Sequence, residues 1–362
     1  MSVVERVEKL IRGPERPIRI AVDAMGGDAA PHNEIVGAIQ ALQSLRSENV
    51  ELVLVGRERE IQRILSQYDD LEGRYSIVHA PDVVTMADDP TSVFRTKKES
   101  SLYRALELHA NGYVDGFVSI GNTGAVLSMA TLMLGRIPGI ARPTIGSFLP
   151  TIHNRHMLLL DVGANVEVKP KYLHDFAVMG SIYMREMLNL EYPRVGLLNI
   201  GEETTKGTEM LKAAYRLLQQ NRSLNFIGNV EGRDIFLGTA DVVVTDGFTG
   251  NVLLKFAESM LTLLKSRFKW FAARSILHRV LVLGLKPILK RVLKGMDYQE
   301  YGGVPLLGVN GVVIIGHGSS TPKAIERMIH VACDMIEHQV NVRIQQAIER
   351  QKFSEPAVEE KG

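Results

Sequence analysis

Five times along this chain an apolar, strand-like run breaks into a small loop of Gly, Asn, Asp, Thr or Ser and then becomes helix. The loops are Ala24-Met25-Gly26-Gly27-Asp28, Gly121-Asn122-Thr123-Gly124, Asp161-Val162-Gly163-Ala164-Asn165, Asp246-Gly247-Phe248-Thr249-Gly250-Asn251 and Gly316-His317-Gly318-Ser319-Ser320. Strands that feed helices in this way return as parallel neighbours through right-handed crossovers. Ligands of such open sheets sit beyond the carboxyl ends of the strands, where these loops gather. Glycine lets backbone N–H groups approach a ligand closely, and each helix start adds free donors and a positive dipole end. The set points to a site for an anion.

The rest of the chain continues the alternation. Strand patterns at Ile18–Val22, Glu51–Val55, Tyr75–His79, Gly116–Ile120, His156–Leu160, Arg194–Ile200, Asn225–Val230, Asp241–Thr245 and Gly311–Ile315 are separated by helical ones. The last helix is expected from Pro322 to about Gln351. Short Val/Ile/Leu runs between longer helices predict an α/β fold with a mostly parallel sheet covered on both faces. A catalytic core is expected over 18–254 and 303–352, after an N-terminal extension (1–17) and before a polar tail (353–362). At 362 residues the chain fits one large α/β domain or two smaller ones.

Segment 255–302 departs from the pattern. Leu261, Leu264, Phe268 and Phe271 share one helical stripe, and Leu277, Leu281, Ile288 and Val292 a second, with a break near Ala272–Ser275 and a kink expected at Pro287. Between Leu261 and Lys294 stand nine Lys/Arg and no Asp or Glu, in a chain whose net charge is only +1. The reading is a protruding basic, amphipathic helical hairpin carrying the only tryptophan, Trp270. Lys265, Lys269, Trp270, Leu277, Leu281, Lys290 and Arg291 are its candidate contacts with an acidic carrier protein or an anionic membrane. Core packing or a dimer contact would also account for its apolar face.

Known motifs narrow the chemistry. The chain has no G-x-x-x-x-G-K-[ST], no full dinucleotide fingerprint, no H-E-x-x-H or cysteine pair for zinc, and no G-x-S-x-G elbow. His153-x-x-His156 suits a strand flank better than a metal site. No metal, cofactor or nucleic-acid partner is expected. The single cysteine, Cys333, excludes an intrachain disulfide framework and favours a reducing cytoplasm. It falls in the stripe Ile325, Ile329, Ala332, Ile336 and reads as a core thiol. No apolar run reaches about 18 residues, and Met1–Pro17 has no apolar signal core. Turn chemistry and helix capping alone would explain much of Gly121–Gly124 and Asp161–Asn165. They explain less of Asp246–Asn251, and nothing of His317, an available acid or base beside capping hydroxyls. Lys255, one turn into its helix, reaches either an anion or solvent.

Taken in order, the loops resemble the bacterial phosphate acyltransferase family, which makes acyl phosphate from acyl carrier protein thioesters and inorganic phosphate. The matching stretches are Val22–Asp28, Gly121–Ala125, Leu160–Asn165, Val195–Gly201, Thr245–Asn251 and His317–Ser320, with Ile120 departing from the pattern. The resemblance implies a Rossmann-like three-layer α/β/α fold, related to phosphotransacetylases and the isocitrate dehydrogenase-like group, and a homodimer. It implies a first step toward phosphatidic acid, at the cytoplasmic face of the membrane, with the product handed to a membrane glycerol-3-phosphate acyltransferase. The rival readings are a phosphotransacetylase using acyl-CoA and a non-catalytic membrane-associated scaffold for acyl ligands.

The catalytic candidates are His317, as acid for the departing thiolate, with Asp246 or Asp161 orienting it. Candidate phosphate and substrate contacts are Gly26, Gly27, Asp28, Asn122, Thr123, Gly124, Asn165, Gly247, Thr249, Gly250, Asn251, Lys255, Gly318, Ser319 and Ser320.

Overall fold

The computed structural model describes residues 16–45, 49–68, 71, 73–153, 155–293 and 302–354. The extension before Arg16, the tail beyond Ser354 and the side chains of Lys290 and Arg291 lie outside the described residues. The first elements are β1 (Ile18–Asp23), α1 (His32–Ser44), β2 (Val50–Gly56), α2 (Glu58–Leu65), β3 (Tyr75–His79), α3 (Val93–Thr96), α4 (Ser101–Ala110), β4 (Gly116–Ser119) and α5 (Thr123–Met133). Then come β5 (Thr144–Pro150), β6 (His156–Leu160), α6 (Pro170–Leu188), β7 (Arg194–Leu198), α7 (Glu209–Gln220), β8 (Asn225–Val230), α8 (Asp234–Leu237), β9 (Val242–Val244), α9 (Gly247–Ala272) and α10 (Ile276–Leu293). The last are β10 (Val304–Leu307), β11 (Val312–Ile315), α11 (Pro322–Glu337) and α12 (Val340–Ser354).

These form two compact units, Met1–Pro143 with Gly302–Gly362, and Thr144–Tyr301. In the first unit the strand order is β3-β2-β1-β4-β11-β10. All of its pairings are parallel except β10 with β11. Ile18, Ile20, Ala21 and Val22 are all buried, as expected of a strand covered on both faces. Helices α1 and α11 pack together on this sheet, and α4 packs with α5 against it. In register Val22 faces Val118 and Ile315 faces Ser119, so β1, β4 and β11 end level and release their loops along one edge.

In the second unit the order is β5-β6-β9-β7-β8, parallel except β5 with β6. Leu160 and Leu197 both face Val244, so β6, β9 and β7 also end level. Helix α6 covers these strands and packs on α7. The alternating α/β pattern is thus the one the sequence predicts. It does not predict β5 and β10, whose short runs are interrupted by Gly146 and Pro305 and pair antiparallel.

Two helix boundaries differ from expectation. The long last helix breaks at His338 and Gln339, where Gln339 takes a left-handed φ of 52°. The buried stripe Ile325–Ile329–Ala332 resumes as Val340, Ile344 and Ile348 at a spacing of four, which hides the break from periodicity. The hairpin does not start near Lys255 either. Helix α9 runs unbroken from Gly247 to Ala272, so the hairpin is rooted in the Asp246 loop itself. Its turn falls at Ala273–Ser275, as expected, and Pro287 lies inside α10.

Two sets of candidate active-site loops

In the first unit a chain of hydrogen bonds locks the three loops together from below. The Asp23 carboxylate, buried at the end of β1, accepts Ser119 Oγ at 2.8 Å and the Met25 N–H at 3.3 Å. Ser119 Oγ in turn accepts the Gly121 N–H at 3.0 Å. The β1 and β4 loops approach so closely that a Cβ on Gly26 would sit 2.7 Å from Asp23 Oδ2 and 2.8 Å from the Gly121 nitrogen. The β11 loop is joined by the Asp28 N–H donating to the Gly318 carbonyl at 2.9 Å and by Asn33 Nδ2 donating to the Ser320 carbonyl at 3.0 Å. Burial, only partly offset by its hydrogen bonds, raises the Asp23 pKa.

On that loop His317 is exposed, and its Nδ1 lies 2.8 Å from Ser319 Oγ. The Ser319 N–H also donates to Nδ1 at 3.2 Å. A ring nitrogen that accepts an N–H is the unprotonated one, so a neutral His317 carries its proton on Nε2. Ser320 is buried, and Thr321 Oγ1 caps α11 through the Ala324 N–H.

Asn122 is committed at both ends of its amide. Its Oδ1 caps α5 at the Ala125 N–H, and its Nδ2 donates to the carbonyls of Thr85 and Asp88. Asp88 binds Lys97 Nζ at 2.6 Å and both polar groups of Thr85, and this holds its carboxyl down at about 2. Gly124 packs against Pro90 in the same segment, and Thr123 is exposed beside it. Asn122 therefore anchors 85–90 over the loop with its side chain.

In the second unit the organiser is Asp161, fully buried at the end of β6. Its Oδ1 accepts the Ile145 and Ala164 N–H groups at 3.1 and 3.2 Å, and its Oδ2 accepts the Asn165 N–H at 2.6 Å and Asn165 Nδ2 at 2.9 Å. Burial raises its pKa, and these four bonds oppose the rise. The Asn165 carbonyl accepts the Gly247 N–H at 2.7 Å, which ties the β6 and β9 loops together. A Cβ on Gly250 would overlap the Asp161 carbonyl oxygen, so only glycine fits there. Asp246 is the N-cap of α9, accepting both the N–H and the Oγ1 of Thr249 at 2.8 Å. Asn251 approaches Gly163, and Lys255 is exposed one turn further on.

The expected loop residues thus fall into two groups, one in each unit. The hairpin contacts stand apart from the second unit's loops. Lys265, Lys269 and Trp270 are exposed near the far end of α9, and Leu277 and Leu281 are exposed on α10. Arg274 stacks 4.0 Å over the Trp270 ring, and Phe271 meets His278 edge-on at the turn. Sequence reasoning does not single out Asp23, Ser119 or Glu34 as working residues. Their only signal is polarity at the end of an otherwise apolar run or in a helix's first turn. His156 opens β6 against Phe148, Cys333 is buried as a core thiol, and no group of three or more metal-binding side chains occurs among the described residues.

Comparison with known proteins places the chain in a family. The family model for the fatty acid synthesis protein matches residues 18–343. The phosphate acyltransferase of Dictyoglomus turgidum is 46% identical over 337 residues, covering 92% of this chain and 98% of its own. The chain belongs to the phosphate acyltransferase family. It is an enzyme family of fatty acid and phospholipid synthesis. The phosphate acyltransferase of Desulforamulus reducens, 47% identical, covers the same shares. Among solved structures, the EutD phosphotransacetylase from Staphylococcus aureus superposes with a TM-score of 0.58 at 14% identity, over 92% of this chain and 98% of its own. A phosphotransacetylase from Streptococcus pyogenes gives 0.55 at 17% identity, over 96% and 100%. At such identities these two show the α/β fold alone.

Proposed function

We propose that this protein transfers a fatty acyl group from an acyl carrier protein thioester to inorganic phosphate, giving acyl phosphate and the free carrier thiol. The observation that carries the proposal is the family match across 18–343, which spans all five loops in their order. A phosphate oxygen attacks the thioester carbonyl, the C–O bond forms, and the C–S bond breaks. Cys333 is buried within α11, which supports direct attack without an acyl-enzyme. Phosphate is already anionic near neutrality, so positioning is the main task and supplies up to roughly 7–11 kcal/mol of the barrier.

His317 gives its Nε2 proton to the departing thiolate, with Ser319 fixing the ring through Nδ1. Thr123 and Ser320 are the further candidate contacts of the first unit, and Thr249, Asn251 and Lys255 those of the second. Asp161 and Asp246 shape the loops of the second unit through the bonds described above.

The hairpin fits the delivery of a reactive, lipid-soluble product. Ile276, Leu277, Val280, Leu281 and Trp270 are exposed beside Lys265, Lys269, Arg274 and Arg279, a combination suited to an anionic membrane surface. Such contact would place the product near a membrane glycerol-3-phosphate acyltransferase. No helix among the described residues is long and apolar enough to cross a membrane. Phe248, Val252, Phe256 and Met260, exposed at a spacing of four along the root of α9, fit pairing with a second copy.

Purified protein incubated with acyl carrier protein thioester should release thiol and form acyl phosphate only when phosphate is present. Faster turnover of acyl-CoA would favour a phosphotransacetylase. No phosphate-dependent thioester loss with either donor would leave an acyl-binding scaffold.

A further inference from the structure

Glu34 stands in the first turn of α1, behind the Gly26–Asp28 loop, with 1% of its surface exposed. Its Oε1 accepts the Gly27 N–H at 2.9 Å, while Oε2 is buried with no hydrogen-bond partner. With Oε2 bare, the backbone N–H groups of Gly27 and of Glu34 itself are poor compensation for a buried full charge, since carboxylates that stay ionised in an interior gather several donors on both oxygens. Asp161 shows the contrast, with four donors in an equally dry setting.

The charged groups set against Glu34 add to the strain on its anion. Asp23 lies buried at the end of β1, and Asp28 stands in the loop itself. Helix α11, packed along α1, offers no relief, because its Lys323 turns to its own Glu326 at 2.7 Å. On the β11 loop His317 is engaged with Ser319. Burial first, then these two carboxylates, push Glu34 up to about 7.

We propose that Glu34 is the positioning residue of the Gly26–Asp28 loop and serves in its protonated form, holding Gly27 through a neutral carboxyl so that no third negative charge stands behind a loop that receives an oxyanion. Ionisation of Glu34 adds that charge and weakens phosphate binding, while the acyl transfer step is unchanged. This rests on the reading that inorganic phosphate binds at these loops.

The test is the KM for inorganic phosphate of wild type and Glu34→Gln, from about pH 6 to pH 9, with acyl carrier protein thioester as donor. Phosphate itself titrates in this range, but equally for both proteins, so their ratio isolates Glu34. The wild-type KM should match the variant's at pH 6 and exceed it about fivefold by pH 8.5, with the kcat ratio constant. A flat KM ratio overturns the proposal. The Tm difference between the two proteins without phosphate then tells which premise failed. If it grows with pH, Glu34 titrates and phosphate binds elsewhere. If it is flat, Glu34 does not hold the proton. Should Glu34→Gln not fold, Asp28→Asn removes one opposing carboxylate and must move the rise in wild-type KM to lower pH; an unmoved midpoint overturns the proposal equally.

Discussion

Asp246 and Trp270 stand at opposite ends of one helix. Asp246 caps its first turn, and Trp270 lies in its last, about 36 Å further along at 1.5 Å per residue. A loop of the candidate site and the basic, apolar tip are therefore parts of one rigid element. Whatever seats the tip on a surface also orients the Asp246 loop.

Leu277→Glu and Trp270→Glu should abolish flotation with anionic liposomes while leaving solution turnover of acyl carrier protein thioester near wild type. Raising salt should mimic the variants, since the basic residues act through screened attraction. Lost turnover without lipid would assign the tip to carrier docking instead.

Asp246→Ala removes the acceptor for Thr249 N–H and Oγ1. It should cost about 1–2 kcal/mol of stability, with faster hydrogen exchange confined to the first turn of α9. A kcat loss of tenfold or more should accompany it, roughly what a misplaced binding loop costs. An unchanged kcat would leave Asp246 a cap and nothing more.

Gly250→Ala would improve helix propensity by roughly 1 kcal/mol in an open helix. Here the methyl would overlap the Asp161 carbonyl oxygen. The variant should be destabilised by about 1–3 kcal/mol or more, read by denaturant midpoint, and should separate the β6 and β9 loops.

His317→Gln keeps a polar side chain but no titratable proton. If the Nε2 proton goes to the thiolate, kcat should fall about 10²-fold or more with little change in the phosphate KM. The variant should lose any kcat dependence on the histidine's ionisation. A kcat near wild type across pH would remove His317 from the reaction.

Glu34 also has a stability signature. Its folded pKa of about 7 lies above its ordinary 4.5, so the stability its proton confers is full below pH 4.5 and is lost as pH rises through 7. Glu34→Gln carries no such loss. It should match wild type near pH 4.5 and exceed it by up to about 3 kcal/mol above pH 8, measured by chemical denaturation in phosphate-free buffer.

Much of the fold was legible because parallel strands buried on both faces leave continuous apolar runs, such as Ile18–Val22 and Val242–Val244. Where a run is short and interrupted, as in β5 and β10, nothing local marks it. The break at Gln339 was hidden because the buried stripe on either side keeps the same spacing. Among the loops, spacing and residue type located Asp161, Asp246 and His317, but not how they are used. Asn122 reads as an anion ligand from its neighbours, whereas its amide is spent on Ala125 and on the carbonyls of Thr85 and Asp88.

The amino-acid sequence by itself determined the alternation of strand and helix, the five loops at strand ends, the basic hairpin and the family. These are local or ordered features, written in periodicity and in glycine, proline and charge. Only the tertiary structure decided which polar groups became organisers. Asp23, Glu34 and Asp161 owe their roles to burial and to donors brought from distant segments, such as Ser119 to Asp23 and Ile145 to Asp161. Desolvation and long-range hydrogen bonding have no signature along the chain, because both depend on what folds over a residue rather than on what stands beside it.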